Sequence, residues 1–138
     1  MLAANHARST PAVWEKKYTQ DHEWIELAAD GKTFTLGISN YAANALGDVV
    51  FVELPVPDTE FSGHDAIGAV ESVKSASDIL TPLPGKVIEV NKDLEAKPAT
   101  INKSPEGDGW IAKLELAEGA DPTEGLMSAE EYKTFTEE

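Results

Sequence analysis

The run Gly68-Ala69-Val70-Glu71-Ser72-Val73-Lys74-Ser75-Ala76-Ser77-Asp78 joins an apolar approach, Ile67 to Val70, to a departing strand through Ile79 and Leu80. Lys74 falls where the chain has to reverse, so this pattern predicts a β-hairpin with the lysine at its tip. An amine displayed on a turn keeps its hydration and is within reach of a modifying enzyme. Taken alone, an exposed lysine is nearly always only a solvated charge; the context of Lys74 is what makes it a candidate.

Outward from the hairpin, short apolar or alternating runs bounded by Gly, Pro, Asn and Asp continue in both directions, the pattern of a mainly β domain. Predicted strands are Glu23 to Ala28, Thr33 to Ile38, Asp48 to Leu54, Ala66 to Ser72, Asp78 to Leu80, Gly85 to Val90 and Trp110 to Leu116. Ser39 is placed to cap a short helix through Tyr41, Ala42, Ala45 and Leu46, with Gly47 as its left-handed exit. Ser128 and Glu131 form a capping box, with Met127 and Tyr132 as a hydrophobic staple, so a short C-terminal helix is expected with Tyr132 and Phe135 facing inward. Asn91 to Gly109 carries two Pro and two Gly, and reads as irregular chain or short helical turns covering one end of the sheets. Residues 1–16 read as a flexible tail: Met1 to Val13 contain Arg8 but no acid, a composition shared with transit-peptide remnants. One folded domain is expected over 17–138.

Composition removes several function classes. Twenty-five Asp and Glu against eleven Lys and Arg give a formal charge of −14, which repels nucleic acid and anionic membrane surfaces and leaves solubility or steering toward basic protein patches. No run of apolar residues is long enough to span a bilayer. The absence of cysteine excludes disulfides, thiolate zinc sites and cysteine nucleophiles together. His6, His22 and His64 have no metal-ligand spacing, so no metal is expected. Ser72, Ser75 and Ser77 have no base beside them, and Trp14, Trp24 and Trp110 read as packing anchors.

The hairpin run, with Pro82 and Gly85-Lys86-Val87-Ile88-Glu89-Val90-Asn91 after it, closely resembles the lipoylation hairpin of glycine cleavage H-proteins. The resemblance extends through Tyr18-Thr19-Gln20-Asp21-His22-Glu23-Trp24, Gly37-Ile38-Ser39-Asn40-Tyr41-Ala42, Leu46-Gly47-Asp48-Val49-Val50-Phe51-Val52-Glu53-Leu54-Pro55 and Gly109-Trp110. Biotinyl domains usually flank their lysine with methionine, and lipoyl domains of 2-oxo acid dehydrogenases usually place an acid before it; Val73 and Ser75 fit neither. Ser75, Asp58 and Glu106 depart from the usual H-protein pattern, where alanine, a turn glycine and an aromatic are common.

That resemblance implies a barrel-sandwich hybrid of two antiparallel sheets, its edges largely absorbed by closure, and a carrier protein, not an enzyme. Lipoate would be joined to Lys74 as an amide. The aminomethyl group of glycine would pass from a pyridoxal-phosphate glycine decarboxylase to a tetrahydrofolate-dependent aminomethyltransferase, and dihydrolipoamide dehydrogenase would reoxidise the arm. A lipoyl-attaching enzyme is a further implied partner. Glu23 and Asp78, with Asp21 and Tyr41 nearby, are the residues the resemblance suggests for an acidic cleft that shelters the arm. The mitochondrial matrix is the implied compartment for a eukaryotic source, the cytoplasm for a bacterial one. Two other readings share the same residues: a relay that passes lipoyl or octanoyl groups to other proteins, and an unmodified interaction domain.

Overall fold

In the computed structural model the described residues, 16–123 and 125–137, run in the order β1 (Lys16–Tyr18), β2 (Glu23–Leu27), β3 (Thr33–Ile38), α1 (Asn40–Leu46), β4 (Val49–Glu53), β5 (Glu60–Phe61), β6 (Ala66–Ser72), β7 (Ala76–Leu80), β8 (Gly85–Val90), α2 (Asp93–Ala96), α3 (Thr100–Lys103), β9 (Ala112–Leu116) and α4 (Ala129–Glu137). Every named pairing is antiparallel. One sheet has the order β1-β2-β3-β9-β8-β5 and the other β4-β6-β7, the two-sheet arrangement that the family resemblance implies. By hydrogen bonding the sheets stay separate, so their edges are not absorbed by closure; two of the four are instead short, β1 with three residues and β5 with two, which limits edge pairing. Most of the predicted tail, with His6 and Trp14, lies outside the described residues, and Lys16 opens β1.

The alternation that predicts the strands also builds the core. In β3, Phe34 and Leu36 are buried between half-buried Thr33 and Thr35. They meet Val52 of β4, Ile67 and Val70 of β6, Ile79 of β7, Val87 of β8 and Leu114 of β9 in one apolar cluster, which Leu94 of α2 and Ile101 of α3 also join. The segment Asn91 to Gly109 thus supplies two short helical turns and two core anchors. Buried Asn91 holds it in place, its Nδ2 donating to the carbonyls of Asp108 (2.9 Å) and Trp110 (2.8 Å).

A second, smaller cluster of Tyr18, Trp24 and Tyr132, with Met127 packed on it, stands apart from this core. Trp24 lies opposite Gly37 in the β2–β3 register, and its indole N–H donates to the Pro105 carbonyl at 3.0 Å. The capping box forms as expected: Ser128 N donates to Glu131 at 2.8 Å, and Glu131 N to Ser128 Oγ at 3.1 Å. Tyr132 is buried, whereas Phe135, expected to face inward, remains 37 % exposed. The helix rests against β1, and the Phe135 ring lies over the rim of the small cluster, 6.1 Å from the His22 ring and 6.3 Å from that of Tyr132.

A Cβ at position 37 would stand 2.7 Å from Trp24 Nε1, so the indole occupies the space any other residue would need. Gly37→Ala is expected to lower stability by about 2 kcal/mol, the usual scale of overpacking. Urea unfolding monitored by tryptophan fluorescence checks it.

Candidate functional site

Lys74 is exposed in the β6–β7 turn. The turn closes through Ser72 N to the Ser75 carbonyl at 2.7 Å, and Ser72 Oγ accepts from Lys74 N (3.3 Å) and Ser75 N (3.1 Å). Serine favours such local bonds because its hydroxyl reaches backbone two or three residues on. Of the serines around the lysine, Ser72 and Ser75 therefore build its turn, while Ser77 pairs with Val70 in the strand that follows.

The tip is also moored from outside. Val73 N donates to the Asp48 carbonyl at 3.1 Å. The α1–β4 connection that provides this carbonyl is bracketed by Asn102 of α3, which donates to the Gly47 carbonyl and accepts from Val49 N, each at 2.8 Å. Gly47 has φ 79°, a left-handed conformation favouring glycine, and a Cβ there would lie 3.5 Å from Lys74 Cε. The lysine stem therefore crosses a bare stretch of backbone on a fixed base.

Directly beyond the lysine, Ser75, Ala76 and Ser77 become one wall of a cleft of about 300 Å³, at the small end of ligand sites. Ile38, α1 through Ala42, Ala45 and Leu46, the β1–β2 turn through Asp21 and His22, and Glu23 at the start of β2 also line it.

Of the four acidic-cleft candidates, Glu23 is the buried one, 3 % exposed. Its Oε1 accepts from Thr19 Oγ1 at 2.8 Å and its Oε2 from Leu80 N at 3.2 Å. Both donors are neutral, and among the described residues no salt bridge reaches it. Burial pushes its pKa up from 4.5 to about 7, against the lowering effect of those two bonds. Asp78 lines the cleft from β7 but is exposed; it alternates with Ile79, whose side chain is in the core. Exposed Asp21 stands between this cleft and a neighbouring concavity of about 380 Å³ that His64 and Pro82 help to line. Tyr41 is not among the lining residues; it is 47 % exposed and its ring lies 4.6 Å from that of His22.

His22, read from sequence as a surface or structural residue, lines the cleft with φ 71°. Its carbonyl accepts from Ser39 N at 2.9 Å, and burial lowers its pKa. Glu106, noted as a departure from the family pattern, bridges Tyr18 and α1 through a bond from the Tyr18 hydroxyl (2.6 Å) and one from Asn40 N (2.8 Å). Neither role has a local sequence signal, because each partner lies far away in the chain. Among the described residues no cluster of three metal-ligating side chains occurs, and no helix is long and apolar enough to cross a membrane.

Residues 16–138 match the glycine cleavage H-protein family model. A mitochondrial glycine cleavage system H protein of Saccharomyces cerevisiae is 48% identical over 119 residues, covering 85% of this chain and 69% of that one. Its counterpart in Vibrio cholerae is 49% identical over 122 residues, covering 88% and 95%. The crystal structure of a glycine cleavage system H protein from Mycobacterium marinum superposes with a TM-score of 0.78 at 35% identity, covering 91% of this chain and 98% of that one.

Glu23 generates a pH prediction. Its native pKa of about 7 lies above the ordinary 4.5, so between these values the native chain binds more protons than the unfolded one, and stability falls as pH rises through that window. Glu23→Gln should remove this slope and leave the variant more stable than the parent above neutral pH, by up to about 3 kcal/mol. Urea midpoints for both chains across the window check it.

Proposed function

This chain belongs to the glycine cleavage H-protein family, whose members are lipoyl carriers and not enzymes, and from that premise we propose that Lys74 bears the lipoyl group. We propose further that the chain takes the aminomethyl group of glycine from glycine decarboxylase to aminomethyltransferase, then offers its arm to dihydrolipoamide dehydrogenase. One observation carries the reading: an exposed lysine on a braced turn stands beside a cleft that contains a buried carboxylate which, among the described residues, has no salt-bridge partner. The residues fit the group. When bound, lipoate supplies a dithiolane that accepts a carbon fragment and two electrons, chemistry a chain without cysteine lacks.

The chain's own residues supply place and field. Lys74 is the only Lys or Arg between Ala66 and Leu80, so acylating it removes the hairpin's single positive side chain. The Ser72 bonds and the Asp48 mooring present its stem in a fixed direction. A swinging tether on a fixed base keeps its end at an effective concentration in the ~mM range for each docked enzyme.

Inside the cleft, Glu23 is suited to hold a cationic amine, because an ammonium completes what two neutral donors leave uncompensated. With a pKa of about 7 it can hold or give up a proton at Oε near neutrality. Asp21 and Asp78 add negative charge at the cleft's edge, while Ile38, Leu46 and Ile79 line it with apolar surface that excludes water.

Incubation with lipoate, ATP and a lipoyl-attaching enzyme, followed by peptide mass spectrometry, tests the attachment. A lipoyl increment on the peptide containing Lys74, absent from Lys74→Arg, is expected; an increment elsewhere, or none, overturns it. For the cleft, Glu23→Gln should release the carried group about tenfold faster than the parent, the scale of losing one charge-assisted hydrogen bond. An unchanged release rate contradicts the role given to Glu23.

A further inference from the structure

The small aromatic cluster outside the main core is tied to two walls of the cleft. Tyr132 of α4 stacks on Tyr18 with ring centroids 4.6 Å apart, and α4 is led in by a reciprocal backbone pair, Tyr18 N to Met127 O and Met127 N to Tyr18 O, each 2.8 Å. The Tyr132 hydroxyl lies 2.7 Å from His22 Nδ1 and 2.7 Å from Ser39 Oγ.

One partner lines the cleft, and the other caps a helix that lines it. His22 lines the cleft from the β1–β2 turn. Ser39 is the N-cap of α1, accepting from Ala42 N at 3.1 Å, and α1 contributes Ala42, Ala45 and Leu46 to the lining. A parallel route from the same stack runs through the Tyr18 hydroxyl to Glu106 and on to Asn40 N. The start of α1 is therefore fastened twice to the aromatic pair Tyr18 and Tyr132. A single hydroxyl bridges two partners by donating to one and accepting from the other. Phenylalanine at 132 would delete both bonds while leaving the ring to stack.

We propose that Tyr132 is a positioning residue for the carrier step: acting through His22 and Ser39, it sets the spacing between the β1–β2 turn and α1, and with it how firmly the cleft retains its cationic cargo. The cargo rests on the carrier reading; the fastening rests on the hydrogen bonds alone. The C-terminal helix, remote from Lys74 in sequence, then controls residence time in the cleft without touching the attachment site.

The test compares four chains, the parent, Tyr132→Phe, His22→Asn and the double variant, asparagine being chosen because it tolerates the left-handed backbone at 22. In the unmodified chains, amide hydrogen exchange in α1 and the β1–β2 turn should become about tenfold faster on Tyr132→Phe, with exchange in β3, β6 and β9 unchanged. In the lipoylated, aminomethyl-loaded chains, cargo release should be several-fold faster in Tyr132→Phe, and adding that change to His22→Asn should accelerate release by less than it does in the parent, because only the Ser39 bond is then left to lose. Unchanged exchange in α1, faster exchange spread evenly over the sheets, or fully additive effects on release would each overturn the proposal. A chain that accepts no lipoate at Lys74 sinks the carrier reading and the cargo with it. One that is lipoylated normally, yet whose release rate ignores Tyr132→Phe, sinks this proposal alone.

Discussion

A buried carboxylate links the two sheets. Glu23 leaves β2 of the six-stranded sheet and accepts the amide of Leu80 in the three-stranded one, 57 residues further along the chain. An ionised group in that position is unfavourable unless it is compensated, and the donors that reach it are a hydroxyl and an amide. The native chain answers with a raised pKa, and the proposed function answers with a cationic cargo. Cleft walls, rim charges and the approach from Lys74 all take their meaning from that uncompensated group.

The other half of the arrangement is mechanical. A carrier that serves several enzymes gains from a mobile tether on an immobile root, since each encounter then costs little ordering of the protein itself. Under the proposed function that root is the turn carrying Lys74, made by ordinary means: a serine-closed turn, one backbone bond to Asp48, and Asn102 clasping the Gly47–Val49 backbone from α3. The segment Asn91 to Gly109, read from sequence as irregular chain or short helical turns, thus contributes both core anchors and the brace beneath Lys74.

Much of this is legible in the sequence where a periodic signal exists. The bounds of β3, β6 and β8 agree with their predicted ranges, because each has turn residues at its ends. β1 and β5 escape notice since two or three residues carry no period. β7 begins at Ala76, not Asp78, because its pairing with β6 runs on to Ala76 opposite Glu71, past the point where apolar residues mark it. β9 begins at Ala112, not Trp110, whose carbonyl is taken by Asn91. Lys74 is legible because a turn advertises itself. The burial of Glu23 is not, for an acid followed by Trp24 and Ile25 looks the same whether the sheet above it is open or covered. His22 is the least legible of all, since its hydrogen-bond partner Tyr132 comes 110 residues later.

Glycine breakdown in a reconstituted mixture of glycine decarboxylase, aminomethyltransferase and dihydrolipoamide dehydrogenase measures most directly whether this chain works through one amine. With the parent chain, after treatment with the lipoyl-attaching enzyme, turnover of glycine should depend on the amount of chain added. With Lys74→Arg, folded and treated alike, it should stay at the level of a mixture that lacks the chain. Full turnover supported by the arginine chain would contradict the account.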